Sequence, residues 1–152
     1  MLSQKITTTD KLRVKDYIAS STVNPVFGTP ENIASAVVND PNIRIRFIET
    51  AGEITGVGTW NISGPTLRYV NVNPFKLNTY LQLCCDIVED VLAEGFTQAY
   101  IPIWDKTLIT MLNLHFKGLE ITVAATTNGV PSQWQVFIPD LADISNQLKK
   151  FY

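Results

Sequence analysis

Between Ile43 and Glu49 the chain alternates, with Ile43, Ile45 and Phe47 on one side and Arg44 and Arg46 on the other. A period of two predicts a half-buried strand. Ala51-Gly52 supplies a tight turn, and Glu53 to Ile62 predicts a second strand antiparallel to the first. Ile54, Gly56, Gly58, Trp60 and Ile62 share one face of it, and two glycines there predict a bulge or a close backbone approach. Gly64-Pro65 turns the chain again into a third strand, Leu67 to Val72.

Helical spacing governs the segments on either side. Thr9 or Asp10 can cap a helix running to about Ala19, and Thr29-Pro30-Glu31 opens a second, to about Val38. SSTVNPVFG between them reads as a loop. After the third strand, Asn73 as N-cap and Pro74 at the first position predict the longest helix. Its stripe is Leu77, Leu81, Cys84, Val88 and Val91, widened by Tyr80, Ile87 and Leu92, and Gly95 closes it. Ala99 to Trp104 is a short apolar strand. Asp105 caps a helix carrying Leu108, Met111, Leu112 and Phe116, ended by Gly118. Leu119 to Ala125 and Trp134 to Ile138 predict strands joined by a TTNGVPS loop, and Asp140 caps a last helix with Leu141, Ile144, Leu148 and Phe151 on one face. Antiparallel strands that lead into a strand-helix-strand crossover predict an α+β fold with a mixed sheet.

Composition narrows the function classes. The 152 residues suit one domain (1–152) with a core of its own. A net charge of −2 lacks the basic footprint of a nucleic-acid binder. No apolar run is long enough to span a membrane, and MLSQKITTTDKLRVKD has no signal-peptide core, so a protein made in the cytoplasm and not secreted is expected. Cys84 and Cys85 are neighbours that cannot easily bridge each other and read as buried free thiols, with no metal-ligand spacing around them. Charged residues make up 17% of the chain against 45% hydrophobic. That low share suggests that a protein partner covers some of the surface.

The element order resembles the GNAT fold, that of the Gcn5-related N-acetyltransferases, over about residues 5 to 138, with the helix at about 140–152 as an addition. IRFIETAGEITGVGTW resembles the family's second and third strands. AYIPIWDKTLITMLNLHFKGLE resembles its fifth strand, fourth helix and the lysine-x-glycine-aromatic-glutamate close, read here as Lys117-Gly118-Leu119-Glu120. The resemblance implies that acetyl-CoA would enter a splay between two parallel strands, its pyrophosphate on the amides of a glycine-rich loop that opens the third helix. Glycines let backbone approach an anion, and the helix N-terminus attracts it. The matching segment, Val72-Asn73-Pro74-Phe75-Lys76-Leu77-Asn78, has no glycine, and Pro74 has no N–H. The family's general-acid tyrosine matches Leu114, which cannot give up a proton. The expectation is therefore a catalytically silent GNAT-like protein with no cofactor. The layout is similar to that of small internal virion proteins of tailed phages, which implies protein–protein contact in the virion or its assembly, the host cytoplasm being the place of synthesis.

Individual candidates carry the rival readings. His115, the sole histidine, stands among Leu108, Leu112 and Phe116 and reads first as a structural or surface residue. As an acid it would need a carboxylate or substrate in reach. Tyr69, Asn71, Tyr100 and Trp104 lie on the two strands expected to splay: core packing is the plain reading, an aromatic groove for a partner's strand the functional one. Arg44 and Arg46 read as solvent-facing or, alternatively, as meeting an acidic partner, and Asp86, Glu89, Asp90 and Glu94 on the long helix read as a solvated face. Under the alternative, an active acyltransferase, Asn73, Phe75 and Lys76 at the helix N-terminus would hold acetyl-CoA, and His115 or Tyr100 would act as acid. A small α+β module without GNAT ancestry is the third reading, and it requires that the third strand and Ala99–Trp104 not be parallel neighbours.

Overall fold

The computed structural model describes residues 7–20 and 30–151. Thr29, Tyr152 and the loop before Thr29 are outside the described residues. Two helices, α1 (Thr8–Ala19) and α2 (Pro30–Asn39), precede strands β1 (Ile43–Thr50), β2 (Glu53–Asn61) and β3 (Thr66–Val72). Then come α3 (Leu77–Ala93), β4 (Ala99–Ile103), α4 (Lys106–His115), β5 (Glu120–Thr127), β6 (Val130–Ile138) and α5 (Leu141–Leu148), with a 3-10 turn, Lys149–Phe151, in place of a longer last helix.

The six strands form one sheet in the order β1-β2-β3-β4-β6-β5, antiparallel throughout except that β3 and β4 run parallel. Each face has its own core. Val14 and Ile18 of α1 and Ile33 and Val37 of α2 pack on Ile43, Phe47 and Val57. On the other face, Leu83, Ile87 and Val91 of α3 join Trp60, Val70, Ile103, Val136 and Leu141 of α5. Fully burying one such side chain is worth about 1.5–3 kcal/mol.

The glycine face of β2 is explained by α3. A Cβ on Gly58 would run into the Ile87 side chain, so the helix sits directly on the strand backbone. At the far end of α3, the Phe96 N–H bonds the Val91 carbonyl and the Gly95 N–H that of Leu92, with Gly95 at φ +95°. These two bonds are a complete Schellman closure.

Several sequence expectations are corrected. The cap of α1 is Thr7: its hydroxyl accepts from the Asp10 N–H and the Asp10 carboxylate accepts from the Thr7 N–H, satisfying two end donors reciprocally. Helix α3 starts at Leu77 with Lys76 as N-cap. Asn73 does not cap it because the Asn73 N–H bonds the Thr55 carbonyl at 2.8 Å and continues the β2–β3 ladder. Leu77 faces solvent, whereas Leu83 and Cys85 are buried, because α3 is packed by the sheet on one side and by α5 on another. The expected TTNGVPS loop is mostly strand: Asn128 (φ +53°) and Gly129 (φ +78°) alone make the turn, the positive-φ pair that fits hairpin twist.

The two supposedly solvated charged faces meet each other. Arg46 donates two hydrogen bonds to Asp90, at 2.8 and 2.7 Å, and lies 3.6 Å from Asp86; Arg44 lies 3.6 Å from Glu94. The polar side of β1 faces α3, and the charges neutralise there. The apolar face of α5 is likewise consumed within the core through Leu141, Ile144 and Leu148, so that helix offers no apolar docking face.

Candidate functional site

The candidate site is the place where β3 and β4 part. Their register holds a single pair, Thr66 opposite Tyr100, beside one cross-strand bond from the Tyr100 N–H to the Pro65 carbonyl at 2.9 Å. A bulge at Arg68 accounts for the divergence: Tyr69 is opposite Thr59 but Leu67 is opposite Trp60, so Arg68 is the extra residue. A bulge bends its strand and increases the twist. Beyond Thr66 and Tyr100 the strands face each other unpaired, and the rest of the sheet is bonded on their outer sides.

An apolar cavity of about 80 Å³ lies at the apex of this opening, beneath the sheet. Leu67 and Ile101, the first residues past the single pair, form its roof. Tyr80, Leu81, Cys84 and Val88 of α3 wall one side, and Leu108, Met111 and Leu112 of α4 the other. Tyr80, Cys84 and the three α4 residues are only partly buried, which places the cavity mouth between α3 and α4. The Cys84 sulfur sits in this apolar lining, and burial pushes its thiol up to about 12. Burial also raises the Tyr80 hydroxyl well above the usual tyrosine range, with neighbouring Cys84 a lesser cause. Neither group can ionise cheaply there. The sequence points to this site only weakly, through a small cysteine in the middle of an otherwise bulky stripe.

At the mouth stands the segment matched to the family's cofactor loop. Asn73, Pro74, Phe75 and Lys76 are all exposed, and the Phe75 ring, 63% exposed, leans on Tyr80 with centroids 5.6 Å apart. No side chain caps α3, so the N–H groups of its first turn point outward unaided. The Asp105 carboxylate caps α4 across the mouth, accepting from the N–H groups of Thr107 at 2.8 Å and Leu108 at 3.4 Å.

Tyr100 on β4 and Trp104, just past its end, are 41% and 46% exposed, and Tyr100 stacks against Phe137 with centroids 4.9 Å apart. Tyr69 keeps its ladder place opposite Thr59; its side chain is outside the described residues. Asn71 does not belong to an open groove. It is 4% exposed, and its Oδ1 accepts from the Tyr17 hydroxyl at 2.6 Å, which ties α1 to β3. A polar pocket of about 300 Å³ adjoins that bond, lined by Glu53, Thr55, Asn71 and Asn73. His115 is exposed at the end of α4, with its ring edge-on to Phe151 at 6.1 Å, and no carboxylate is among its described contacts. Leu114 is 76% exposed. Among the described residues there is no grouping of three metal-ligating side chains, and no helix is long and apolar enough to cross a membrane.

No protein-family model matches the chain, and no curated protein sequence matches it. Solved structures do. An aminoglycoside 6'-acetyltransferase of type Ii superposes with a TM-score of 0.64 at 14% identity, over 93% of this chain and 97% of that one. The Escherichia coli ribosomal-protein-S18-alanine N-acetyltransferase gives 0.62 at 11% identity, over 90% of each chain. Tetrahymena GCN5 gives 0.55 at 9% identity, over 85% of this chain and 87% of its own. With the parallel, splayed β3 and β4 and helices on both faces of a mixed sheet, this chain has the GNAT fold.

Proposed function

We propose that this GNAT-fold protein has lost acetyl transfer and works by binding another protein at the splay. The observation that carries the reading is the turn Asn73-Pro74-Phe75-Lys76. Where a phosphate would need several converging amides, the chain supplies an imide nitrogen without hydrogen and an exposed phenyl ring. Leu114, in the matching place of the acid, faces solvent and carries no proton to give. The unpaired β3 and β4 edges and the exposed Tyr100 and Trp104 suit strand addition, in which main-chain hydrogen bonds supply affinity. The setting proposed is a phage particle or its assembly, on the resemblance of element layout read from the sequence. The test is release of free CoA from acetyl-CoA in the presence of a panel of amines and amino-terminal peptides. The reading expects no release above the uncatalysed background, and sustained turnover overturns it.

A second reading, an acyltransferase with an atypical cofactor mode, is favoured by one feature. The uncapped N-terminus of α3, with Lys76 beside it, is a weak anion site. In that case Lys76 and the first-turn amides hold the phosphates, and His115 or Tyr100 serves as acid. Loss of turnover in Lys76→Glu would support it.

A further inference from the structure

If the splay binds protein, its walls define what it binds. Two unpaired strand edges supply main-chain donors and acceptors to an extended segment laid between them. Side chains of such a segment alternate in direction, so every second one turns down toward α3 and α4. Beneath the point of divergence is the cavity between Leu67, Ile101, Cys84 and Leu112. Its 80 Å³ is about half of the 150 Å³ that accommodates a benzene ring. That space takes the branched end of a valine, leucine or isoleucine and excludes an aromatic ring. With a wholly apolar lining, it also rejects a charged or hydrogen-bonding group.

The rim has the opposite character. Arg68 lies in the bulge, Lys76 follows the end of β3, and Lys106 opens α4 just after β4. None of the three has an ion-pair partner among the described residues. The nearby acid, Asp105, is already engaged with the α4 amides. The uncapped first turn of α3 adds the positive end of a helix dipole to the same rim. An apolar socket at the apex and cations at the mouth are complementary to a segment carrying an aliphatic anchor and acidic residues.

We propose that the splay takes an extended, acidic segment of another protein, seating one branched aliphatic side chain in the cavity and carboxylates against Arg68, Lys76 and Lys106. This rests on the protein-binding reading above. The segment adds strand hydrogen bonds to β3 and β4 and leaves its outward side chains over Tyr100. From Leu67 to the end of β3 the strand spans about 17 Å, so the anchor is about five residues from the carboxylates at Lys76 and Lys106, and beside the one at Arg68.

The test is selection of a displayed library of random twelve-residue peptides on the full chain, followed by calorimetry with the enriched sequence as a synthetic peptide. Enriched peptides are expected to share a valine, leucine or isoleucine with aspartate or glutamate within about five residues, on a constant side. Leu112→Phe, which adds ring atoms to the cavity, should weaken binding about tenfold or more, while the volume-conserving Leu112→Ile keeps it. The double variant Lys76→Glu with Lys106→Glu, at exposed positions, should also weaken it about tenfold, and binding by the unmodified chain should fall as salt is raised. Thermal unfolding and amide spectra of each variant establish that it is folded. No enrichment, or an enriched peptide indifferent to both Leu112→Phe and the charge reversal, overturns the proposal. If acetyl-CoA also fails to bind in that case, the loss of acetyl transfer stands and this inference alone falls; acetyl turnover overturns both.

Discussion

Arg46 and Asp90 join β1 to α3 through two parallel hydrogen bonds of 2.8 and 2.7 Å, and Asp86 stands 3.6 Å away on the same guanidinium. The two carboxylates are not equivalent. Hydrogen bonding to Asp90 is the largest cause that raises Arg46, whereas burial raises Asp86 above its ordinary value despite the arginine. Asp90 completes the pair, and Asp86 is the acid whose charge is poorly solvated.

Removing either charge separates these roles. Fully buried pairs lose 3–5 kcal/mol when one partner is removed; the Asp90 side chain keeps 27% of its exposure, so Asp90→Asn should cost about 2 kcal/mol in urea unfolding. Asp86→Asn should be neutral or stabilising. Because the folded-state pKa of Asp86 is raised, its contribution favours folding at acid pH and is lost as pH rises through the carboxylate range. The advantage of Asp86→Asn over the parent chain should therefore grow between about pH 3 and pH 6, and an advantage that shrinks over that range contradicts the assignment.

Gly58 and Gly52 should respond to alanine for different reasons. At Gly58 the added methyl meets the fully buried Ile87, so Gly58→Ala overpacks the α3–β2 contact at about 2 kcal/mol. At Gly52 the space is open and φ is +83°, so Gly52→Ala is penalised through the backbone alone, at about 1 kcal/mol. Trimming Ile87 to valine should rescue the first substitution and leave the second unchanged, as read by denaturant midpoints.

The cysteines should be silent in the folded state. Burial pushes the Cys84 thiol up to about 12, so it holds almost no thiolate at pH 8. Cys85 is 1% exposed, with its sulfur 3.7 Å from the Ser145 hydroxyl. An aromatic disulfide reagent should label neither thiol at pH 8 until denaturant is added, and then both.

Tyr17→Phe removes the donor to a buried amide oxygen. It should cost about 1–2 kcal/mol and speed amide exchange in α1, because Asn71 then lacks its 2.6 Å partner. A change confined to the β3–β4 mouth, with α1 unaltered, would contradict the role given to this bond.

Much of this architecture could be read directly from the chain. The glycine face of β2 pointed to a bulge or a close approach, which α3 supplies at Gly58, and Gly95 marked the helix end, because each follows from what backbone geometry forbids to other residues. The match of layout to a parallel crossover was also legible, and β3 and β4 are indeed parallel. Charge pairing was not. Arg44 and Arg46 alternating on a strand look the same whether they face water or the acids of a helix 40 residues later. Nor was the start of α3: Asn73-Pro74 satisfies every local rule for a cap, and only the ladder to Thr55 claims Asn73 for the sheet. A stripe shows which side chains turn inward but not whether their volumes fill the space, so the cavity by Cys84 emerges only in three dimensions. Nor does the place of Asn71 on β3 show that it is closed off from the groove, because its partner, Tyr17, is 54 residues away in sequence.

The most direct test of the central claim is a calorimetric titration of the full chain with acetyl-CoA, alongside thermal unfolding at the same ligand concentrations. The turn Asn73–Lys76 offers no amide cradle, so no saturable heat and no stabilisation up to millimolar ligand are expected. A micromolar site would stabilise the fold by about 2.7 kcal/mol at roughly a hundred times its Kd. Saturable binding of that kind, coupled to acetyl transfer, would contradict the account.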